Sequence, residues 1–439
     1  MQPYHERRQR AAAAMEHGVA VIPSARLTPR NDDNDYAFRQ NSTFFYLTGF
    51  DEPDALLVLA PHHPEQHSVL FLRTRDRSAE IWNGYRLGVE RACEHLGVDA
   101  AYPIEELDER LSGYLCGAHV LYYDIGADEA LDRRVFAARV QAQQRTRRSG
   151  YAVETIASAL PAIDAMRAIK SPHELAIMRN AARITARGHE VAMRATRAGL
   201  YEYHIEAILE YEYHFAGAQS TAYESIVASG ANATILHYST NRAILADGDL
   251  LLVDSGCELD YYASDVTRTW PINGRFSPEQ RAIYEIVLAA NLAGIAQVQP
   301  GRSQRAFHEA AVRTITEGLL DIGLLTGSLD EQIEREGYRD FYMHGSGHWL
   351  GLDVHDAGRY RDQNDYPVAL APGMVTTVEP GIYVHADRDC DERFKGIGVR
   401  IEDNILVTQD GNEDLTAMIP KRLDAIEAIV GSSPCGLVS

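Results

Sequence analysis

The chain has 439 residues, with 42 Lys+Arg against 63 Asp+Glu and a formal charge of −21 at pH 7. Hydrophobic residues make up 45% and charged residues 24%, ordinary for a globular protein, so bulk disorder is excluded. The strongly acidic balance argues against nucleic acid and anionic membrane surfaces as partners, because both need a basic patch, and no run approaches the roughly 18 apolar residues of a membrane span. The length predicts two to three domains. The N-terminus, MQPYHERRQRAAAAMEHG, lacks the apolar core of a secretory signal. Five cysteines, Cys93, Cys116, Cys257, Cys390 and Cys435, are odd in number and form no CxxC. Reduced thiols in a cytoplasm are expected, without a disulfide frame or a structural zinc.

A helix is expected over about 3–17. Short apolar runs bounded by loop residues follow at Val19–Ile22, Phe44–Leu47, Ala55–Leu59, Val69–Leu72 and Val120–Tyr123, and all read as buried strands. Asp32-Asp33-Asn34-Asp35 lacks the Gly and distal Glu of a calcium loop and reads as a solvated loop. Asp128–Arg148 is polar and helix-prone. The stretches RTRRSG and SALPAID then mark a boundary between about 148 and 170, giving an N-terminal α/β domain of mixed-sheet type over 1–165 and a second domain over 166–439.

Ser171-Pro172-His173-Glu174 is a capping box with Pro at the first helical position, and a helix should run from it to about Arg197. A second helix is expected over about 201–216. Ser277-Pro278-Glu279-Gln280 repeats the start signal for a helix reaching Pro300-Gly301, and another helix should occupy about 303–322. The segments LADGDLLLVDSG (Leu245–Gly256) and LAPGMVTTVEPG (Leu370–Gly381) share the pattern L-A-x-G-x-h-x-x-V-acid-x-G. The second domain therefore reads as two halves of similar plan paired about a pseudo-two-fold axis, a duplication and not a solenoid.

Both copies put a carboxylate at the end of a β-branched run, Asp254 and Glu379. Asp265 follows in DVTRTW, with the intervening residues as a hairpin turn, so Asp254 and Asp265 should face each other across strands. Arg400 and Glu402 lie two apart in GVRIEDNILV and share a strand face. His237 ends TILHY, His344 and His348 lie in MHGSGHWLG, and His355 lies in LDVHDAG. Four carboxylates and an imidazole can converge only around cations, since alone they would repel and take up protons. Oxygen-rich ligation with one His favours Mn²⁺, Fe²⁺ or Co²⁺, with Zn²⁺ still open. Neither Gly345-x-Gly347 nor Gly396-x-Gly398 is a nucleotide fingerprint. Cys257, near Asp254, reads as a small buried side chain.

The pieces ILHY, VDSGCELDYYASDVTRTWPINGRF, HGSGHWLGLDVHD, VEPGIY and GIGVRIEDNILVT resemble those of the pita-bread metallopeptidases. YAFRQNSTFFYLTGFDEPDALLVL and AEIWNGYRLG resemble the N-terminal domain of the bacterial aminopeptidase P (Xaa-Pro aminopeptidase) family, and the likeness spans about residues 4–425. The resemblance implies an α/β chain with a C-terminal pita-bread domain that hydrolyses the bond between an N-terminal residue and a following proline with a metal-bridging hydroxide. It implies two divalent cations per subunit, Mn²⁺ first and Co²⁺, Fe²⁺ or Zn²⁺ otherwise, held by Asp254, Asp265, His348, Glu379 and Glu402. Glu379 would double as general base. His237 and His355 would contact the substrate near the scissile carbonyl, and His344 would lie near the proline pocket. Tyr383 and Arg400 would form a hydrogen-bonded relay to Asp254. Trp82 would reach a neighbouring subunit's active-site mouth in a homo-oligomer, a dimer or tetramer. Ser346-Gly347 and the loop carrying RYRDQNDYP depart from the family pattern beside the substrate cleft. The alternatives are a prolidase restricted to Xaa-Pro dipeptides and a non-catalytic pita-bread binding protein. A metal-free creatine-hydrolysing relative conflicts with the five ligand positions.

Overall fold

The computed structural model describes residues 2–15, 18–148 and 150–432. Cys435 lies outside the described residues. The chain divides into two compact units, Met1–Asp164 and Ala165–Ser439, the division falling within the helix Leu160–Ala168.

The first unit is built on a six-stranded mixed sheet. Across it the strands run Ala100–Pro103, Ser68–Leu72, Leu56–Leu59, Gly18–Pro23, Val120–Tyr122 and Thr155–Ala157. Gly18–Pro23 pairs antiparallel with Leu56–Leu59 and parallel with Val120–Tyr122. Val19, Val21, Val58 and Phe71 form a buried core with Leu111, Leu115 and Val135 from the helices Leu107–Leu115 and Glu129–Thr146. The N-terminal helix is Gln2–Ala14. The acidic run at 32–35 is not a plain loop, because the exposed strands Pro29–Asn31 and Asn34–Asp35 pair across it.

One expected strand is a helix. Phe44–Leu47 lies within the helix Ser42–Thr48, whose N-terminus is capped by the Asn41 side chain accepting from the Phe44 N–H and whose end is closed by Gly49 at φ 63°. The apolar run is too short for periodicity to decide between helix and strand, and the capping residues on either side decide it.

In the second unit both capping boxes form. Ser171 caps the helix Pro172–Ala195 with Glu174 reciprocating, and Ser277 caps Pro278–Ile295 with Gln280 reciprocating. The latter helix stops short of Pro300. Helices Glu202–Phe215 and Gln304–Asp321 follow their respective partners. Each helix pair precedes a three-stranded antiparallel sheet. The first sheet is Ile226–Ser229, Leu250–Asp254, Thr267–Pro271 and the second is Val375–Val378, Asp403–Val407, Asn412–Asp414. The strand ending in the acid motif is central in the first and at the edge in the second. A hairpin, Gly381–Tyr383 with Gly398–Arg400, follows the second motif. Buried residues of both halves, among them Val253, Trp270, Ile283, Ile315, Val399 and Ile401, share one core.

Candidate metal centre

Asp254 ends the strand Leu250–Asp254, where its register partners are Ile226 and Thr267. Asp265 therefore does not face Asp254 in the ladder as the sequence suggested. Residues Cys257–Leu259 and Tyr262–Ala263 pair as a side excursion, which leaves Asp265 two residues ahead of the register. Gly256 makes this path possible, since a Cβ there would lie 1.8 Å from the Ser264 carbonyl oxygen. Asp265 is fixed instead by Asn404, whose Oδ1 accepts the Asp265 N–H at 3.1 Å and whose Nδ2 donates to the Asp265 carbonyl.

Asp265, His348 and Glu402 offer ligand atoms that all lie within 4.8 Å of one another. His348 Nε2 is 3.2 Å from Asp265 Oδ2 and 3.7 Å from Glu379 Oε1. His348 donates from Nδ1 to the Trp349 carbonyl at 3.0 Å. That bond fixes the tautomer and leaves Nε2 as the free ligand atom. Glu402 accepts from Thr267 Oγ1 at 2.7 Å. Its carbonyl takes a bond of 2.6 Å from Arg268, a fully buried guanidinium that also pairs with Asp403.

Asp254 is held differently. Arg400 Nη2 donates to its Oδ2 at 2.6 Å and Tyr223 donates to its Oδ1 at 2.5 Å. Arg400 also reaches Thr267 Oγ1 at 3.0 Å and the Tyr383 hydroxyl at 3.1 Å. Tyr383 then donates to His344 Nε2 at 2.9 Å, and His344 Nδ1 donates to the Gly345 carbonyl at 2.7 Å. Arg400, although two residues from Glu402, ends one strand while Glu402 lies in the break before the next, and Thr267 links the two side chains.

Glu379 sits one residue past its strand, with its N–H bonded to the Ser346 carbonyl at 2.9 Å. Its side chain stays 19% exposed, with Oε2 3.8 Å from His344 Nδ1. The neighbouring Thr377 carbonyl approaches Gly347, where a Cβ would meet it at 2.1 Å. This is why a glycine separates Ser346 from His348. The rings of His348 and His355 have centroids 4.2 Å apart. His355 and His237 are both exposed, and His237 is close enough for its charge to bear on His344 and His355. Trp82 belongs to the first unit, on the helix Arg77–Asn83, where it is 85% exposed beside Ile81 and Tyr85.

The electrostatics describe a cation site. Burial pushes Asp254, Glu379 and Glu402 upward, Glu379 to about 7, and the carboxylates' mutual repulsion adds to the effect. Burial works against a charge on His348, but the hydrogen bond and charge of Asp265 overcome it and lift the imidazole to about 9. Protons are drawn to the positions where positive charge is missing. His344 is pushed down to about 3 by burial and by Arg400, so it is neutral. The converging donors, the carboxylates of Asp265 and Glu402 and the available His348 nitrogen, fit hard or borderline divalent cations.

Tyr223, Thr267, Asn404 and Arg268 were not read from the sequence. Thr267 and Asn404 each stand two residues from a ligand candidate, and that spacing is the one local signal that could have pointed to them. Tyr223 carried no such signal.

Fold and site together define a metallopeptidase of the pita-bread type. A model of metallopeptidase family M24 matches residues 176–409, and a model of the aminopeptidase P N-terminal domain matches residues 4–122. The Xaa-Pro aminopeptidase of Haemophilus influenzae is 45% identical over 428 residues, covering 97% of this chain and 96% of the relative. That of Escherichia coli K12 is 43% identical over 431 residues, covering 98% and 97%. A solved aminopeptidase of Pseudomonas aeruginosa superposes with a TM-score of 0.95 at 46% identity, covering 98% of this chain and 97% of that one. A zinc-substituted Escherichia coli aminopeptidase P in complex with product gives 0.94 at 43%, with the same coverage. The chain belongs to metallopeptidase family M24 and, within it, to the aminopeptidase P group.

Proposed function

We propose that this chain is an Xaa-Pro aminopeptidase that works with two divalent cations, Mn²⁺ by preference, in the cytoplasm and as a homo-oligomer. The observation that carries the metal reading is the convergence of Asp265, His348 and Glu402 within 4.8 Å, with Glu379 and Asp254 bordering them. Near-full-length likeness to Xaa-Pro aminopeptidases supports the substrate class. The catalytic domain is taken as 166–439 and the N-terminal domain as 1–165.

Asp254, Asp265, His348, Glu379 and Glu402 would hold the cations. When bound, two such ions supply a nucleophilic hydroxide at neutral pH and neutralise the carboxylates. Arg400 and Tyr223 clamp both oxygens of Asp254 and orient that acid, offsetting part of the upward pull of burial. Glu379, with no clamp on its carboxylate, takes a proton from the nucleophile and returns it to the leaving secondary amine of proline. His237 and His355 stand on exposed loops and donate to the oxygen of the scissile carbonyl as charge develops there. Neutral His344, held by Tyr383, borders the proline ring. Trp82, exposed on its helix, gates a neighbouring subunit's site.

The test is hydrolysis of an Xaa-Pro dipeptide and an Xaa-Pro-Xaa tripeptide, with Mn²⁺ and with the metal chelated. Metal-dependent release of the first residue from the tripeptide is expected. Cleavage of the dipeptide alone would transfer the reading to a prolidase.

A further inference from the structure

His237 lies in the loop between Ser229 and Ala243, with its side chain exposed and without the regular strand that fixes Asp254. A histidine on such a loop needs its backbone held from elsewhere. Glu202, the first residue of the helix Glu202–Phe215, is fully buried. Its Oε1 accepts from Ser229 N and Oγ, both at 2.8 Å, and from Asn232 Nδ2 at 3.1 Å. Its Oε2 accepts from the Tyr238 hydroxyl at 2.9 Å and from Ala243 N at 2.8 Å. The Glu202 N–H donates back to the Ala243 carbonyl at 3.0 Å. These partners bracket the loop at both ends and include the residue next to His237. All five donors to the carboxylate are neutral, and the charge is favoured by the helix N-terminus it occupies. The far side of the loop rests on the strand that carries Arg400, since a Cβ at Gly398 would meet the Ala233 carbonyl at 2.1 Å.

We propose that Glu202 is a positioning residue for His237, its one carboxylate fixing the loop so that the imidazole stands over the catalytic cluster. The inference rests on the catalytic reading of His237 given above. Glu202→Gln places an amide N–H₂ against donors on one side of the group and releases either the Ser229–Asn232 end or the Tyr238–Ala243 end. Tyr238→Phe removes one donor and leaves the carboxylate intact, and it serves if Glu202→Gln does not fold.

The experiment measures kcat and KM on an Xaa-Pro-Xaa tripeptide for Glu202→Gln, Tyr238→Phe, His237→Ala and each pair with His237→Ala. The ring resonance of His237, identified by its loss in His237→Ala, is followed in parallel. Losing a transition-state donor costs roughly 100-fold or more in kcat. Glu202→Gln should approach that loss with KM less affected, Tyr238→Phe should show a smaller fall, and neither should add to His237→Ala. The His237 resonance should shift or broaden in both single variants. Losses that multiply with His237→Ala, or an unchanged His237 resonance, would overturn the positioning role. An unaltered kcat in His237→Ala with a displaced resonance in Glu202→Gln would overturn the catalytic reading of His237 while leaving the tether standing.

Discussion

The two copies of the acid motif look alike in sequence and are treated in opposite ways by the fold. Asp254 lies within a central strand, with Arg400 on one oxygen and Tyr223 on the other. The following residue, Ser255, is bound through its Oγ to Tyr213 and Ser225 and through its carbonyl to buried His189. Glu379 lies past the end of an edge strand, followed by Pro380, with its backbone N–H bonded to Ser346 and its carboxylate in longer contacts of 3.7–3.8 Å with His348 and His344. Its carboxyl is the partly exposed one, and burial among acids raises it to about 7. A duplicated frame thus yields one carboxylate gripped by hydrogen bonds at both oxygens and one held more loosely, and burial raises both. In the proposed mechanism the first would serve as a fixed ligand and the second as a ligand that also moves protons.

Glu379→Gln should break the second role most severely, lowering kcat by roughly 10²–10⁴-fold. Thermal unfolding should show stability little changed, because the carboxylate's contacts with His344 and His348 are long, 3.8 and 3.7 Å. Asp254→Ala should lower stability as well as activity. It leaves the buried Arg400 guanidinium without its hydrogen-bonded carboxylate, so stability should fall by about 3–5 kcal/mol in chemical denaturation, with loss of bound metal. Tyr223→Phe takes one bond from Asp254 and keeps the other, and metal affinity measured by competition with a chelator should weaken roughly 10- to 100-fold.

Acid sharpens the comparison at its weakest point. Burial holds His189 down to about 4, and its Nε2–H supports only the Asp254 copy through the Ser255 carbonyl. A histidine lowered in the folded state contributes stability above the unfolded value of about 6.5. That contribution is lost as pH falls from there toward 4, at most about 3 kcal/mol in total. His189→Gln should flatten the acid limb of a stability–pH curve measured by denaturant unfolding.

Asp254 and Glu379 were legible because each ends a local strand-and-turn pattern, and the capping boxes at Ser171 and Ser277 because a cap is written in four consecutive residues. The partners of the acids were less so. Tyr223 meets Asp254 across 31 positions and Asn404 meets Asp265 across 139, separations at which pattern carries no register. Glu202 has the same difficulty, since one glutamate at a helix start reads as an ordinary favourable charge. Phe44–Leu47 failed for a local reason, the dominance of its aromatic run over the Asn41 and Gly49 that cap it. The strands around Asp254 and Asp265 pair antiparallel as expected, but the facing of the two acids failed because Gly256 permits an excursion that strict alternation does not anticipate.

The most direct test is to strip the protein of metal, titrate Mn²⁺ back, and follow release of the first residue from an Xaa-Pro-Xaa tripeptide beside bound metal. Activity should be absent at the start and complete at two equivalents per chain, while Glu379→Gln binds metal and stays inactive. Full activity in the stripped protein, or full activity in Glu379→Gln, would contradict the account.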